Sequence, residues 1–240
     1  MKTYFISDAH FGLGTRGEER AKESRLIQFL DHIAHDVEQL FIVGDLFDAW
    51  FEYRTVIPKG FHRFFAKVSE LTDRGVPIHY LAGNHDYWMR DFFRDELGMT
   101  THYEPFDVRI DGKKVYIHHG DGLLANDTGY LILKKMFRSR LNIWLYSWLH
   151  PDIGLAFAKS TSKRSRQHTT GKDYGAGDAM MEFAQGKIDE GYDIVVMGHR
   201  HRPVIRRLGS GTYINLGDWI EHNTFAEMEG GCITLKTWKP

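Results

Sequence analysis

Nine carboxylate, amide and imidazole side chains sit in short strings: Asp8-Ala9-His10, Gly44-Asp45, Gly83-Asn84-His85-Asp86, His119-Gly120 and Gly198-His199-Arg200-His201. The candidate ligands are Asp8, His10, Asp45, Asn84, His119, His199 and His201. Oxygen and imidazole donors without thiolate suit manganese, iron or zinc better than the oxygen-only shells of calcium or magnesium. Two divalent ions bring four positive charges and the two Asp return two negative ones. Such a site stays electropositive and draws an anionic phosphate ester or diphosphate. If one carboxylate bridges two ions roughly 3.5 to 4 Å apart, bound water is acidified toward pKa ~7 and can attack phosphorus in line. Asp45, central in the set, is the expected bridge.

Each string alone has an ordinary structural account. Asp-x-His occurs in polar turns, Gly-Asp can be a turn with an N-capping Asp, and Gly-Asn-His-Asp can be a turn whose Asn and Gly accept positive φ. Their placement separates them from that background. Apolar strand patterns at residues 3–7, 40–44, 76–83, 115–118 and 193–197 each run directly into one of the strings. The carboxyl edge of an open α/β sheet is where ligands bind. Between the strands, Leu26, Phe29, Leu30 and Ile33 mark a helix within residues 22–36; Phe61, Phe64, Phe65 and Val68 mark another that opens near Pro58. The Asp111-Gly112 pair predicts a hairpin turn. Segments near 203–208, 212–216 and 232–238 read as antiparallel strands. The expected fold is α/β: two packed sheets flanked by helices, one domain over residues 1–240 with a helical insertion, a lid, over about 125–190.

The composition fits a soluble globular chain: 240 residues, 42% hydrophobic and 26% charged. Thirty-one Lys and Arg oppose 32 Asp and Glu, so no bulk affinity for nucleic acid or anionic membrane is expected, and any basic surface is local. Cys232 is the single cysteine, which excludes an intrachain disulfide and favours a reducing cytosol; in a strand it should be a small buried hydrophobe. No apolar run reaches the roughly 18 to 20 residues of a spanning helix, and the segment before Ser7 is too short for a signal peptide. His118 alternates to the strand face opposite His119, which predicts a core position or a place behind the ligands rather than ligation, and His222 near Asp218 reads as part of a turn cap.

The strings and their order resemble the calcineurin-like metallophosphoesterases, whose pattern is D-x-H, G-D, G-N-H-D/E, H-G and G-H-x-H. The resemblance spans residues 8–201 and implies a metallophosphoesterase-type two-sheet sandwich. It implies that Asp8, His10, Asp45 and His201 hold one metal and that Asp45, Asn84, His119 and His199 hold the other. It also implies that His85 stabilises or protonates the leaving oxygen, oriented by Asp48.

Specificity has to come from the insertion. Residues 125–175 carry nine Lys or Arg against three Asp, a charge of +6 where the remainder is -7. The same stretch is rich in Leu, Ile, Met, Phe and Trp over more of a helix surface than one packed face needs. Two accounts fit: a hairpin packed on the core, or a lid that binds an acylated anion and touches an anionic membrane. Gly44-Asp45-Leu46-Phe47 with Ala49-Trp50, His119-Gly120-Asp121-Gly122-Leu123 and Asp127-x-x-Tyr130 resemble the UDP-2,3-diacylglucosamine diphosphatases of lipid A synthesis over nearly the whole chain. That resemblance implies manganese-dependent hydrolysis at the α-phosphorus of UDP-2,3-diacylglucosamine, giving UMP and 2,3-diacylglucosamine 1-phosphate. It also implies a peripheral place on the cytoplasmic face of the inner membrane. Asp127 and Tyr130 match positions near the glucosamine phosphate, and Ser162 and Arg166 fall in the matching basic stretch. Lys163 and Arg164 are phosphate partners by charge, and Asn84, His85 and His199 also face substrate. One departure stands out. The best-known members have Arg where this chain has His85 and Glu where it has Asp48, so an Asp-His pair of the general family pattern replaces both.

Rival readings are weaker on the residues. Protein Ser/Thr phosphatases follow Gly-Asp with Val-Asp-Arg-Gly, whereas this chain continues Leu46-Phe47-Asp48. A nuclease needs a long basic track, and a binding scaffold with a dead centre would tolerate lost ligands, of which none is lost. Another lipid-linked or nucleotide diphosphate remains the alternative substrate. No obligatory protein partner is implied.

Overall fold

The structure is a computed structural model. It describes residues 1–123, 128–169 and 176–239, with side chains for all of these except 128–131, 133, 163–169 and 176–178. In chain order, the first half comprises β1 (Lys2–Ile6), α1 (Arg16–Ile33), β2 (Val37–Val43), α2 (His62–Asp73), β3 (Ile78–Leu81), a π-helical turn (Phe92–Glu96) and β4 (Thr100–His102). The hairpin of β5 (Phe106–Ile110) and β6 (Lys113–His118) leads to α3 (Thr128–Phe137), α4 (Arg140–Tyr146), α5 (Pro151–Thr169) and α6 (Ala176–Asp189). The chain then forms β7 (Ile194–Met197), β8 (Val204–Leu208), β9 (Gly211–Asn215), β10 (Thr224–Glu229) and β11 (Cys232–Thr237).

Two sheets form, ordered β11-β10-β1-β2-β3-β4 and β5-β6-β7-β9-β8. The strands that end in ligand strings are parallel: β1, β2 and β3 in the first sheet, β6 and β7 in the second. Their carboxyl ends therefore lie along the same edge of each sheet. Strand alternation decides which layer each side chain enters. Tyr4, Ile6, Leu40 and Ile42 face α1 and α2, where they meet Phe29, Leu30, Phe64 and Val68. Phe5, Phe41 and Val43 point the other way and pack on Val115, Ile117, Val196 and Ile214 of the second sheet. Met180, Ala184 and Ile188 of α6 cover the outer face of that sheet against Val195, Met197 and Tyr213. The layers run helix, sheet, sheet, helix, as expected.

Some elements differ from expectation. The helix expected from residue 22 begins at Arg16, because Thr15 and Glu18 cap each other's backbone amides and close the N-terminus there. The second helix opens at His62, four residues after Pro58, behind a left-handed Phe61. β9 pairs antiparallel with β8 but parallel with β7. β4 and β10 were not expected: β4 is three residues long, and Ala226, Glu227 and Glu229 are poor strand formers that pairing with β1 holds extended. Cys232 is exposed rather than buried. In the edge strand β11 it is Ile233 and Leu235 that pack on the inter-sheet core, so Cys232 takes the outward face.

Where β3 and β4 pair, His79 Nδ1 lies 3.2 Å from His102 Nε2, and the His102 ring stacks on Phe106 at 3.8 Å between centroids. Burial and the neighbouring His79 hold His102 down to about 4, from an ordinary 6.5. Between those values the unfolded chain binds a proton that the folded chain refuses, so this residue makes stability fall as pH drops through the window and has no such effect above it. Replacement His102→Gln should flatten the loss of denaturant stability between about pH 7 and about pH 5. An unchanged slope in the variant would remove His102 as its source.

Candidate metal centre

Past the ends of β1 and β2 the two loops run side by side. Asp8 N–H donates to the Gly44 carbonyl at 3.1 Å, His10 N–H to Asp45 at 3.0 Å, Phe11 N–H to Leu46 at 2.9 Å and Asp48 N–H to Phe11 at 3.0 Å. The chain reverses sharply in this lattice. Asp8, His10, Asp45, His199 and His201 all have positive φ, between 43° and 70°. They are five of the eight described non-glycine residues in that region. Such backbones gather at functional sites, where surrounding structure holds them.

The reversals bring the side chains together. His10 Nε2 lies 3.1 Å from His201 Nε2, and Asp8 Oδ1 is 3.3 Å from the latter and 3.7 Å from the former. His119 Nε2 lies 3.2 Å from both Asp45 Oδ2 and Asn84 Oδ1, and His199 completes a group with Asp45 and His119 whose ligand atoms all fall within 4.8 Å. Asp45 Oδ2 is also 3.7 Å from His10 Nε2, so this carboxylate stands between the two clusters. All seven expected ligands converge.

The donors fit divalent cations. Asp8 Oδ1 is buried without a hydrogen bond among the described residues, and two imidazole nitrogens that face each other, His10 Nε2 and His201 Nε2, need a proton or a cation between them. His119 is oriented by its Nδ1, 2.9 Å from the Val43 carbonyl, which leaves Nε2 toward the cluster. Burial opposes charge on His10 and His119. The carboxylates of Asp48, Asp8 and Asp45 outweigh it at His10, and Asp45 and Asp8 at His119, pushing them up to about 9 and about 10. Burial also opposes ionisation of Asp8 and Asp45, yet the surrounding imidazoles hold both carboxyls below the usual range. His199 is held down to about 4 by burial and by His119. The buried carboxylates thus favour positive charge at the centre.

His85 lies beside this centre. Burial lowers its pKa, and its Nδ1 is 2.9 Å from the backbone carbonyl of Asp48 and 3.2 Å from Ser162 Oγ. Asp48 therefore meets His85 through its main chain. Its carboxylate accepts from Ser162 Oγ at 3.1 Å and lies 3.5 Å from His10 Nδ1. Of the residues expected to touch substrate, Asn84, His85, Ser162 and His199 are placed at the centre. Asp127 and the side chains of Tyr130, Lys163, Arg164 and Arg166 lie outside the described residues. The His118 ring packs on Phe183 of α6, and its Nδ1 accepts from the N–H of Gly120 in the following loop. Asp218 caps the turn at Ile220, Glu221 and His222 and pairs with His222 Nδ1 at 2.6 Å.

Other residues that matter here were not singled out from sequence. Asp86 accepts from Leu46, Phe47 and Gly83 amides and from the Tyr80 hydroxyl, which fixes the Gly-Asn-His-Asp loop to the Gly-Asp loop. Glu52 accepts the amides of Arg90, Asp91 and Phe92. Asp121 binds Lys134 at 2.6 Å and Arg138 at 3.3 Å, tying α3 to the loop after His119. The motifs contain Asp86 and Asp121 without assigning a role to either, and nothing in the sequence marks Glu52. The centre also opens into a pocket of about 160 Å³ between the Asp48–Trp50 segment and α3, α4 and α5. Asp48, Asn84, His85 and Ser162 line its polar end, and Trp50, Trp88, Phe137, Tyr146 and Phe157 supply apolar walls.

A family model for calcineurin-like phosphoesterases matches residues 1–203. The chain belongs to that family. This phosphoesterase is a hydrolase, and its clustered donors are those of a divalent-metal enzyme. A UDP-2,3-diacylglucosamine hydrolase of Porphyromonas gingivalis is 36% identical to it over 98% of this chain and 97% of the relative. One of the same name from Shewanella halifaxensis is 29% identical over 98% and 97%. An archaeal phosphodiesterase structure covers 99% of this phosphoesterase and 100% of its own chain, with a TM-score of 0.51 at 15% identity, a likeness of fold.

Two measurements follow from the geometry. Because His10 and His119 must give up protons to bind metal, manganese loading should release protons and tighten as pH rises from about 6 toward about 9. Calorimetric titration in buffers of different ionisation heat reads this directly, and identical heats would refute it. A Cβ on Gly83 would stand on the Asp45 carboxylate. Gly83→Ala should therefore lose about 100-fold in turnover, with metal loss and retained secondary structure; full activity would show that the contact yields.

Proposed function

We propose that this phosphoesterase cleaves UDP-2,3-diacylglucosamine at the α-phosphorus, releasing UMP and 2,3-diacylglucosamine 1-phosphate in lipid A biosynthesis. The observation that carries the reading is the apolar pocket that ends on the candidate metal centre. It offers acyl chains a place beside the groups that would receive a phosphate, and the names of the two full-length relatives agree with it.

In this reading Asp8, His10, Asp45 and His201 hold one Mn²⁺, and Asp45, Asn84, His119 and His199 hold the other, with Asp45 shared. When bound, the two cations would polarise the phosphoryl oxygens and acidify the attacking water. Asn84, His85 and His199 face the diphosphate. The Nδ1 proton of His85 is engaged by the Asp48 carbonyl and Ser162, which leaves Nε2 to meet the leaving oxygen. An anionic diphosphate beside it favours the imidazolium needed to protonate that oxygen. Asp48 steadies His85 by its carbonyl and His10 by its carboxylate. Asp127, Tyr130, Ser162, Lys163, Arg164 and Arg166 bind the sugar and its phosphate.

The chain in this reading is one domain whose insertion at about 125–190 serves as a lid. Leu141, Trp144, Leu145, Trp148 and Ile153 of the insertion are exposed, Trp148 by 75%. An apolar surface of that kind beside Lys and Arg suits the cytoplasmic face of the inner membrane, where the lipid substrate resides. No helix among the described residues is long and apolar enough to cross a membrane, so the attachment would be peripheral. A second reading, another lipid-linked or nucleotide diphosphate, is favoured by the residues themselves, His85 and Asp48 standing where the best-known members have Arg and Glu.

Metal-stripped protein given Mn²⁺ should release UMP and the lipid phosphate in equal amounts, and Asp45→Ala should lose both metals and nearly all turnover. Silence on this lipid with activity on a chromogenic phosphodiester would shift the assignment to the second reading. Retained metal and turnover in Asp45→Ala would remove it as the bridge.

A further inference from the structure

Behind the centre, α1 carries a buried cation that the reaction does not use. Lys22 is 4% exposed; its Nζ donates to the His10 carbonyl at 2.9 Å and to Glu19 Oε1 at 3.0 Å. Glu19 in turn accepts the amides of Gly12 and Gly14, both at 2.7 Å. A buried ammonium is costly unless fully paired, and here one partner is the main chain of a candidate ligand. His10 is left-handed at φ 43°. Its carbonyl is gripped from the α1 side while its imidazole meets Asp8 and His201 on the other. Relaxing the His10 backbone would break the Lys22 bond and pull on the loop that Glu19 holds at two further amides.

We propose that Lys22, braced by Glu19, is a positioning residue for His10: it sets the metal affinity of the cluster of Asp8, His10 and His201 and leaves that of Asp45, His119 and His199 unchanged. The inference rests on reading His10 as a metal ligand. Nothing in the Asp-x-His string announces it, since Lys22 lies twelve residues away on a helix.

The test is a count of manganese equivalents and their affinities in purified, metal-stripped protein titrated with Mn²⁺ alone. Wild type should hold two equivalents and His10→Ala one. Lys22→Met should keep one equivalent at wild-type affinity and weaken the other about 10- to 100-fold, as lost support behind a ligand does. The manganese concentration for half-maximal activity should rise with it. Lys22→Arg keeps the charge and should weaken the same equivalent less. A purely structural lysine would lower the melting temperature without splitting the two affinities. Folded Lys22→Met holding both equivalents at wild-type affinity overturns the proposal. If Lys22→Met does not fold, an unchanged affinity in Lys22→Arg overturns it. Two equivalents retained in His10→Ala would remove His10 as a ligand, and the positioning role with it, whatever Lys22 shows.

Discussion

Asp8, His10, Asp45, His199 and His201 hold left-handed backbones that an L-residue adopts at a cost of roughly 1 kcal/mol or more each. The rest of the site depends on those reversals. An extended strand sends successive side chains to opposite faces, so Asp8 and His10 could not turn inward with Asp45 if β1 and β2 simply continued. The conformations persist because neighbouring backbones lock them. The paired hydrogen bonds between residues 8–11 and 44–48 fix one set, and Asp8 Oδ2 accepting His199 N–H at 2.9 Å ties the β7 loop to the β1 loop. Close approach is the second condition. A side chain on Gly44 would collide with His119, as one on Gly198 would with Asp8.

A second tier of buried carboxylates holds the loops that carry the ligands. Asp86 and Glu52 each collect three backbone amides, and a carboxylate that accepts several N–H groups stiffens the segment supplying them. Burial and the nearby Asp45 charge nevertheless raise Asp86 to about 6. The loop is thus braced by a group that the surrounding negative charge works against, which is one reason cations suit the centre.

The sequence was most legible where chemistry and strand ends coincide. All seven candidate ligands lie at the termini of apolar runs, and those short continuous runs marked β1, β2, β3, β6 and β7. It was least legible where a residue acts through the main chain of a distant segment. Asp86 reaches Leu46 across 40 positions and Glu52 reaches Arg90 across 38; the Gly-Asn-His-Asp string contains Asp86 without revealing its distant donors, and no local pattern marks Glu52. Asp48 shows the same limit: its pairing with His85 follows from the motif, but the atom involved is the carbonyl. β10 stayed hidden because its residues are extended only by pairing with β1. The start of α1 lies ahead of its apolar stripe: the stripe points to residues 22–36, and the capping pair Thr15 and Glu18 sets the N-terminus.

The pairing of β1 with β10 also orders events during synthesis. β1 emerges first among the strands, yet its antiparallel neighbour consists of residues 224–229. The first sheet stays open on that side until the ribosome has made them. The centre has a similar schedule, because Asp8 and His10 must wait for His199 and His201. A nascent chain therefore carries its early carboxylates and imidazoles without the partners that complete a cluster. Neither cluster can therefore be completed before residues 199–201 have been made, and the sequence separation of its members adds to the contacts that folding has to close over long loops.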